Sequence, residues 1–196
     1  MEWLIEHGVE IAGVVFSLLY LWFSIRRNIL LWPVGIISAV LYVLVFYKSR
    51  FYADMSLNVY YFFISIYGWI LWSRKGRGEE AALTVTRAGN RLNLLLGIIS
   101  LLLFLSGGYI LSRFTDSPLP YWDAFTTALS ITATWMLTRK IIGHWLLWIV
   151  VDLVSLGLYL YRGLYPTAVL FLVYSVMAVT GYFEWKKVLD SKTGEA

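Results

Sequence analysis

Long apolar stretches alternate with short polar junctions along most of this chain. A helix needs about 20 mostly apolar residues to cross the hydrocarbon core of a bilayer. Seven stretches approach or reach that length, at residues 7–25, 29–47, 55–72, 93–112, 122–138, 142–161 and 166–185. The pattern predicts an all-α integral membrane protein with seven transmembrane helices, several of them joined by only a few residues.

The composition supports a membrane protein and removes several other classes. Hydrophobic residues make up 60% of the 196 residues and charged residues 14%, and the mean hydropathy is +0.71. A soluble domain has about 45–50% apolar and about 25% charged residues. The chain has no Cys and only two His, which excludes Cys-ligated zinc and leaves too few ligands for a three-His site. We therefore predict neither a metal nor a cofactor.

The basic residues fall unequally on the two sides of the predicted helices. One side carries only Lys48, Arg50, Arg113 and Arg162, and the other carries Arg26, Arg27, Arg74, Lys75, Arg77, Arg87, Arg91, Arg139, Lys140, Lys186, Lys187 and Lys192. Because cytoplasmic loops are enriched in Lys and Arg, we predict that the N-terminus lies outside and the C-terminus in the cytoplasm. Topology accounts for the basic charge, so we expect no nucleic-acid partner.

The sequence repeats itself at an offset of 113 residues. Matched residues include Arg26/Arg139, Trp32/Trp145, Tyr61/Tyr174, Gly68/Gly181 and Trp72/Trp185. We predict a parallel repeat in which helices 1–3 recur as helices 5–7, with helix 4 as the inverting connector. Such architectures are typical of transporters, whose substrate sites lie near the midplane between the halves.

The repeat divides the chain into four predicted parts. They are a first three-helix bundle (1–72), a cytoplasmic loop with connector helix 4 (73–121), a second three-helix bundle (122–187) and a cytoplasmic tail (188–196). The loop segment Ser73–Arg91, with its glycines and mixed charges, is expected to be an ordinary surface linker.

Asp152 is the only charged residue near the middle of a predicted helix, and a charge there is costly enough to favour a functional role. Trp145, Trp148, Ser155 and Tyr159 share one helical stripe with it. Two aromatic platforms, a carboxylate and a hydroxyl suit a flat, aromatic, cationic solute. The alternatives are a structural hydrogen bond for the carboxylate and an interfacial belt for the two Trp residues.

Further candidates lie on other predicted helices. Asn58 and Tyr61 form a second polar stripe on helix 3 and are candidate substrate contacts. Thr134 is another, although Ser and Thr hydroxyls often bond to their own helix. Pro33 and Gly35 are predicted to kink helix 2 and to act as a hinge.

These residues carry a family resemblance. The segments Trp32–Ile37, Tyr67–Trp69 and Trp145–Trp148, with the Thr138–Lys140 junction, resemble the PnuC family of bacterial vitamin transporters over nearly the whole chain. The most telling motif is the WxxW of helix 6 with a polar residue four positions later. Nicotinamide riboside members tend to carry Asn where Asp152 stands and Gln where Asn58 stands, so this chain departs from them at two candidate positions.

The resemblance implies a fold and a function. It implies the 3+1+3 build of SWEET transporters and an inner-membrane transporter that moves nicotinamide riboside by facilitated diffusion with alternating access. Thiamine is nearly as strong a candidate. A cytoplasmic vitamin kinase would trap the substrate, and a homotrimer is implied by the resemblance alone.

Two other function classes compete with a transporter. The alternative to a transporter is a non-transporting structural or assembly subunit of a membrane complex. A membrane-embedded enzyme would need clustered His, Cys or paired carboxylates. The sequence does not bring such residues together, so we predict that the chain is not an enzyme.

Overall fold

The structure is a computed structural model that describes residues 2–48, 52–73 and 84–194. Four basic residues of the predicted topology signal, Arg50, Arg74, Lys75 and Arg77, lie outside these ranges. So does most of the predicted linker.

The described residues form seven α-helices, which confirms the all-helical prediction. They are α1 (Glu2–Ile25), α2 (Leu31–Lys48), α3 (Tyr52–Ser73), α4 (Asn90–Phe114), α5 (Pro120–Thr138), α6 (His144–Tyr161) and α7 (Tyr165–Thr193). The predicted end of the last helix at residue 185 is wrong, because α7 continues through most of the predicted tail. It ends before Gly194, which adopts the left-handed conformation (φ 73°) typical of a helix C-terminus.

Four of the described helices are long and apolar enough to cross a membrane. They are α3 over Met55–Ser73, α4, α6, and α7 over Tyr165–Ser191, while α1 and α2 contribute shorter apolar stretches. In α4 only Leu96 and Gly108 are buried, so most of its apolar side chains are available to lipid. Helix α5 is not among these four helices, and Ser and Thr residues recur along its length.

The chain forms two compact units, Met1–Thr84 (unit 1) and Val85–Ala196 (unit 2). In unit 1, α2 packs against both α1 and α3. In unit 2, α4 packs against α5, α5 against α6, and α6 against α7. Helix α4, predicted as a connector, therefore packs against α5 and belongs to the same compact unit as α5, α6 and α7.

The turn between α1 and α2 and the turn between α5 and α6 share one backbone geometry. Arg27 and Lys140 have positive φ values of 55° and 53°, which are uncommon for residues other than Gly. The N–H of Arg27 donates to the carbonyl of Ser24 at 3.0 Å, and that of Lys140 to the carbonyl of Leu137 at 3.0 Å. The two turns are separated by the offset of the predicted repeat.

A Trp ring packs directly against a Gly of the last helix in each unit. A Cβ added to Gly181 would lie 2.5 Å from Cη2 of Trp145. The same indole meets the ring of Trp185 nearly edge-on, with ring centroids 5.9 Å apart. Equivalent contacts occur in unit 1 between Trp32 and Gly68 and between Trp32 and Trp72. The glycines are needed because no side chain fits beneath these rings.

The two predicted hinge residues, Pro33 and Gly35, lie near the start of α2. Pro33 lies in the first turn of α2, where backbone N–H groups have no intrahelical acceptor in any case. Pro at this position therefore removes no hydrogen bond from the helix. A Cβ on Gly35 would lie 2.9 Å from the ring of Tyr20, so this Gly permits close packing of α2 against α1.

The end of the predicted linker belongs to unit 2 and pairs with the turn between α5 and α6. Thr86 forms an isolated parallel bridge with Ile141. Its N–H donates to the carbonyl of Lys140 at 3.1 Å, and its carbonyl accepts from the N–H of Ile142 at 2.9 Å. This part of the predicted linker therefore lies at the surface and is hydrogen-bonded to the turn between α5 and α6.

Candidate functional site

Asp152 lies in the middle of α6 and is 4% exposed. No residue in the described part of the chain forms a hydrogen bond or ion pair with its carboxylate. A buried carboxylate without a partner is costly in a protein and more so at membrane depth. The structural hydrogen bond considered from the sequence is thus absent among these residues, which favours a carboxylate that faces a ligand.

Ser155 follows Asp152 by one helical turn and is 7% exposed. Serine hydroxyls in these helices commonly donate to a carbonyl four residues earlier, as Ser175 does to Phe171 at 2.9 Å. Ser155 makes no such bond, nor any other with a described residue. Two adjacent polar side chains on one face of α6 are therefore buried with unused hydrogen-bonding capacity, and in native structures such groups require an explanation.

The aromatic residues of the α6 stripe separate into two kinds. Trp148 and Tyr159 are both half-buried, and the Tyr159 ring stacks on Phe171 of α7 at 5.1 Å with an interplanar angle of 21°. Trp145 is 1% exposed and is enclosed by Trp185 and Gly181. Trp148 retains an accessible ring surface for stacking, whereas the Trp145 ring has none.

Unit 1 carries the other predicted contacts on α3. Asn58 is 8% exposed, and Ser65, two turns further along, is 3% exposed. Tyr61 is half-buried, and its ring lies 5.9 Å from that of Tyr60. The polar stripe predicted on α3 is therefore an inward-facing surface of this helix.

The hydroxyl of Thr134 bonds within its own helix. It donates to the carbonyl of Ser130 at 2.8 Å, and the side chain is 2% exposed. Its hydroxyl proton is therefore not available to a solute, which argues against the predicted contact. The Oγ atoms of Thr132 and Ser100 instead lie 2.7 Å apart and join α5 to α4, a contact that hydroxyl spacing along a single helix does not reveal.

His144 is a buried polar residue that the sequence did not single out. It is fully buried, and its Nδ1 lies 2.8 Å from the carbonyl oxygen of Ile141. Its ring centroid is 4.5 Å from that of Trp145 and 4.7 Å from that of Trp185. Its Nε2 has no hydrogen-bond partner within the described residues. Its equivalent in the sequence repeat is Leu31. A polar residue at a position where the other half has an apolar one was the feature that could have identified His144 from the sequence.

Nothing among the described residues forms a metal site. No group of three His, Cys, Asp or Glu side chains within those ranges is close enough to hold a metal ion. The chemistry of the α6 face therefore comes from one carboxylate, one hydroxyl and an indole, which together can bind a cation with an aromatic ring.

Comparison with known proteins places these features in a family context. Residues 7–187 match the sequence pattern of the nicotinamide mononucleotide transporter family. A nicotinamide riboside transporter PnuC of Escherichia coli is 24% identical, with 90% of this chain and 84% of the relative aligned. A riboflavin/roseoflavin transporter RibM of Streptomyces davaonensis is 22% identical, with 90% and 83% aligned.

A solved structure shows the same fold. The crystal structure of a vitamin B3 transporter PnuC aligns with a TM-score of 0.77 over 94% of this chain and 83% of that chain, at 24% sequence identity. The all-helical architecture therefore has an experimental counterpart.

Proposed function

The chain belongs to the nicotinamide mononucleotide transporter family, and from this premise we propose that it imports a small cationic vitamin, with nicotinamide riboside as the first candidate. Its relatives are transporters rather than enzymes, and its apolar helices make it a multi-pass protein of the inner membrane. The substrate is taken from the PnuC relatives and tested against the chemistry of α6.

The buried carboxylate of Asp152 carries this proposal. The nicotinamide ring of the riboside is a pyridinium, which bears a permanent positive charge. A carboxylate that has no partner among the described residues offsets that charge, and the indole of Trp148 offers a stacking and cation–π surface one turn away. The hydroxyl of Ser155 is free to bond the carboxamide or the ribose. Each unused group on this face of α6 thus has a counterpart on the solute.

Helix α3 of unit 1 carries two further residues that we propose as substrate contacts. Asn58 offers an amide and Tyr61 a phenol, which suit the ribose hydroxyls. Trp145 and Tyr159 support the face of α6 by packing against α7. Thr134 stays in the core of unit 2. The proposed substrate contacts are Asp152, Trp148, Ser155, Asn58 and Tyr61.

The proposed mechanism uses a parallel repeat of helices 1–3 and 5–7, with the N-terminus outside and the C-terminus in the cytoplasm. Shared left-handed turns and shared Trp–Gly contacts at a constant offset support the repeat. So do two cation–π pairs at the same offset, Arg26 over Trp22 at 4.8 Å and Arg139 over Trp135 at 5.5 Å. Movement of the two bundles would expose the site alternately to each side of the membrane, with Pro33 and Gly35 as the proposed hinge.

Transport of this kind needs no second ion. Among the side chains that the structure describes, Asp152 is the only buried acid, which supports facilitated diffusion over coupling to a proton or sodium ion. Net accumulation would then depend on phosphorylation by a cytoplasmic kinase.

A reconstituted system tests the function directly. Purified protein is placed in liposomes that contain nicotinamide riboside kinase and ATP, and uptake of labelled nicotinamide riboside is followed. Parallel vesicles hold thiamine kinase with labelled thiamine, or riboflavin kinase with labelled riboflavin. We expect kinase-dependent accumulation of nicotinamide riboside. Preference for thiamine would keep the cationic-vitamin proposal and change its substrate, whereas preference for riboflavin, or no uptake of any of the three, would overturn it.

A further inference from the structure

Unit 2 contains a cavity of about 740 Å³ that is separate from the proposed substrate site. Its walls come from α4, α5, α7 and the beginning of α6, and neither Asp152, Ser155 nor Trp148 contributes to them. The volume is within the range of small-ligand sites, about 300–1,000 Å³.

The cavity has a basic rim. Arg87 and Lys186 both line it, and no acidic residue in the described ranges does. Arg87 is 68% exposed, and its ion pair with Asp190 is long, at 3.7 Å. Lys186 is exposed and pairs with no acid in the described ranges. The rim therefore has a net positive charge that favours an anion.

The wall behind the rim is largely apolar. Leu96, Leu129, Met136 and Leu147 line it, and along α4 the lining residues run from Asn93 to Ser100. At a rise of about 1.5 Å per residue this distance is about 10 Å. A ligand that fills the cavity must therefore combine an anionic group at the rim with an apolar part that extends inward.

The surface of α4 beside the cavity is also apolar. Gly97 lines the cavity, and a Cβ added to it would meet nothing within 4 Å. Its neighbours Leu94, Leu95 and Ile98 are 67%, 52% and 48% exposed. In a membrane protein this surface faces lipid tails, so a lipid can enter the cavity laterally beside Gly97.

From this arrangement we propose that the cavity binds one anionic phospholipid. Its phosphate lies between Arg87 and Lys186, and one acyl chain extends along Gly97 and Leu147. Basic pockets between transmembrane helices bind anionic headgroups in this way. The bound lipid would join α4 to the turn between α5 and α6, at Ile142 and Gly143, so the transport rate should depend on the anionic lipid content of the membrane.

Native mass spectrometry of the full-length purified protein tests the site. The protein is titrated with phosphatidylglycerol, with phosphatidylcholine of the same chain length, and with sn-glycerol 3-phosphate. We expect at least a fivefold preference for phosphatidylglycerol and no displacement of it by glycerol phosphate. Equal binding of the two lipids would overturn the proposal, and displacement by glycerol phosphate would reassign the site to a soluble phosphate.

Matched variants locate the binding. Arg87→Gln and Lys186→Gln should each reduce phosphatidylglycerol binding at least fivefold, and Gly97→Leu should do so by filling the cavity. Lys187→Gln is the charge control, because Lys187 pairs with Glu184 at 2.7 Å and does not line the cavity. Ile98→Leu is the control for α4. An equal loss in Lys187→Gln or Ile98→Leu would show non-specific lipid adsorption and overturn the proposal.

Discussion

The indole of Trp145 lies so close to Gly181 that a Cβ at this position would be only 2.5 Å from Cη2 of the ring. Trp32 and Gly68 make the same contact in unit 1. In each unit the ring begins one helix and the Gly belongs to the next helix, α7 or α3. This contact fixes how closely the two helices approach one another.

Gly181→Ala should therefore destabilise the protein. The added methyl group cannot be accommodated without displacing a fully buried ring, and overpacking of this kind costs about 1–3 kcal/mol. We expect a lower Tm in detergent, measured by the helical circular dichroism signal. Gly157→Ala is the control, because a Cβ at Gly157 meets nothing within 4 Å. Equal Tm values for the two variants would show that the ring is not held against Gly181.

Asp152→Asn should reduce substrate affinity and leave the fold intact. Removal of the charge that offsets a cation should raise the KM for the transported cationic vitamin at least tenfold, equivalent to about 1.4 kcal/mol. The same change removes a buried carboxylate that lacks a partner among the described residues, so the Tm should stay constant or rise.

Asp116→Asn is the matched control for this substitution. Asp116 is exposed in the segment between α4 and α5, so its loss should change neither KM nor Tm. Unchanged uptake by Asp152→Asn would remove this carboxylate from the proposed site. A large fall in Tm would instead indicate a structural role.

His144→Leu should be tolerated. The repeat equivalent, Leu31, is also fully buried, and Nε2 of His144 has no partner in the described part of the chain. The carbonyl of Ile141, which Nδ1 contacts, also accepts from the backbone N–H of His144 at 3.2 Å. Loss of the imidazole therefore leaves no acceptor unpaired, and replacement by an apolar group of similar size should be close to neutral. His144→Ala should instead leave a cavity between two Trp rings and cost about 2 kcal/mol or more. If His144→Leu lowers the Tm as much as His144→Ala does, the imidazole makes a stabilising polar interaction.

The hydrophobic pattern predicted seven helices because each apolar stretch is long enough to require a membrane or a core. It missed the length of α7, because the charged residues after Trp185 lower the hydropathy without interrupting helix formation. Nor could it show that Trp145 packs inside unit 2 while Trp148 remains partly exposed. Both occupy one stripe of α6, and only the neighbouring helix determines which ring it covers.

The site was predictable where a residue conflicts with its surroundings. Asp152 is recognisable because a charge in the middle of an apolar helix is costly. Thr134 was predicted as a contact because its backbone acceptor, the carbonyl of Ser130, is not visible in a residue pattern. The cavity beside Gly97 could not be predicted either, since it depends on how α4 packs against α5.

The proposed orientation can be tested with single cysteines, since the natural chain contains none. Asp116→Cys lies between α4 and α5, on the predicted outer side, and should react with a membrane-impermeant maleimide in intact spheroplasts. Gly89→Cys and Ser191→Cys lie on the predicted cytoplasmic side and should react only after permeabilisation. All three positions are exposed, so a difference in labelling reports the side of the membrane and not burial. The reverse pattern would place the basic side outside, contrary to the usual enrichment of Lys and Arg in cytoplasmic loops. Equal labelling at all three positions would contradict an odd number of membrane-spanning helices between Gly89 and Asp116.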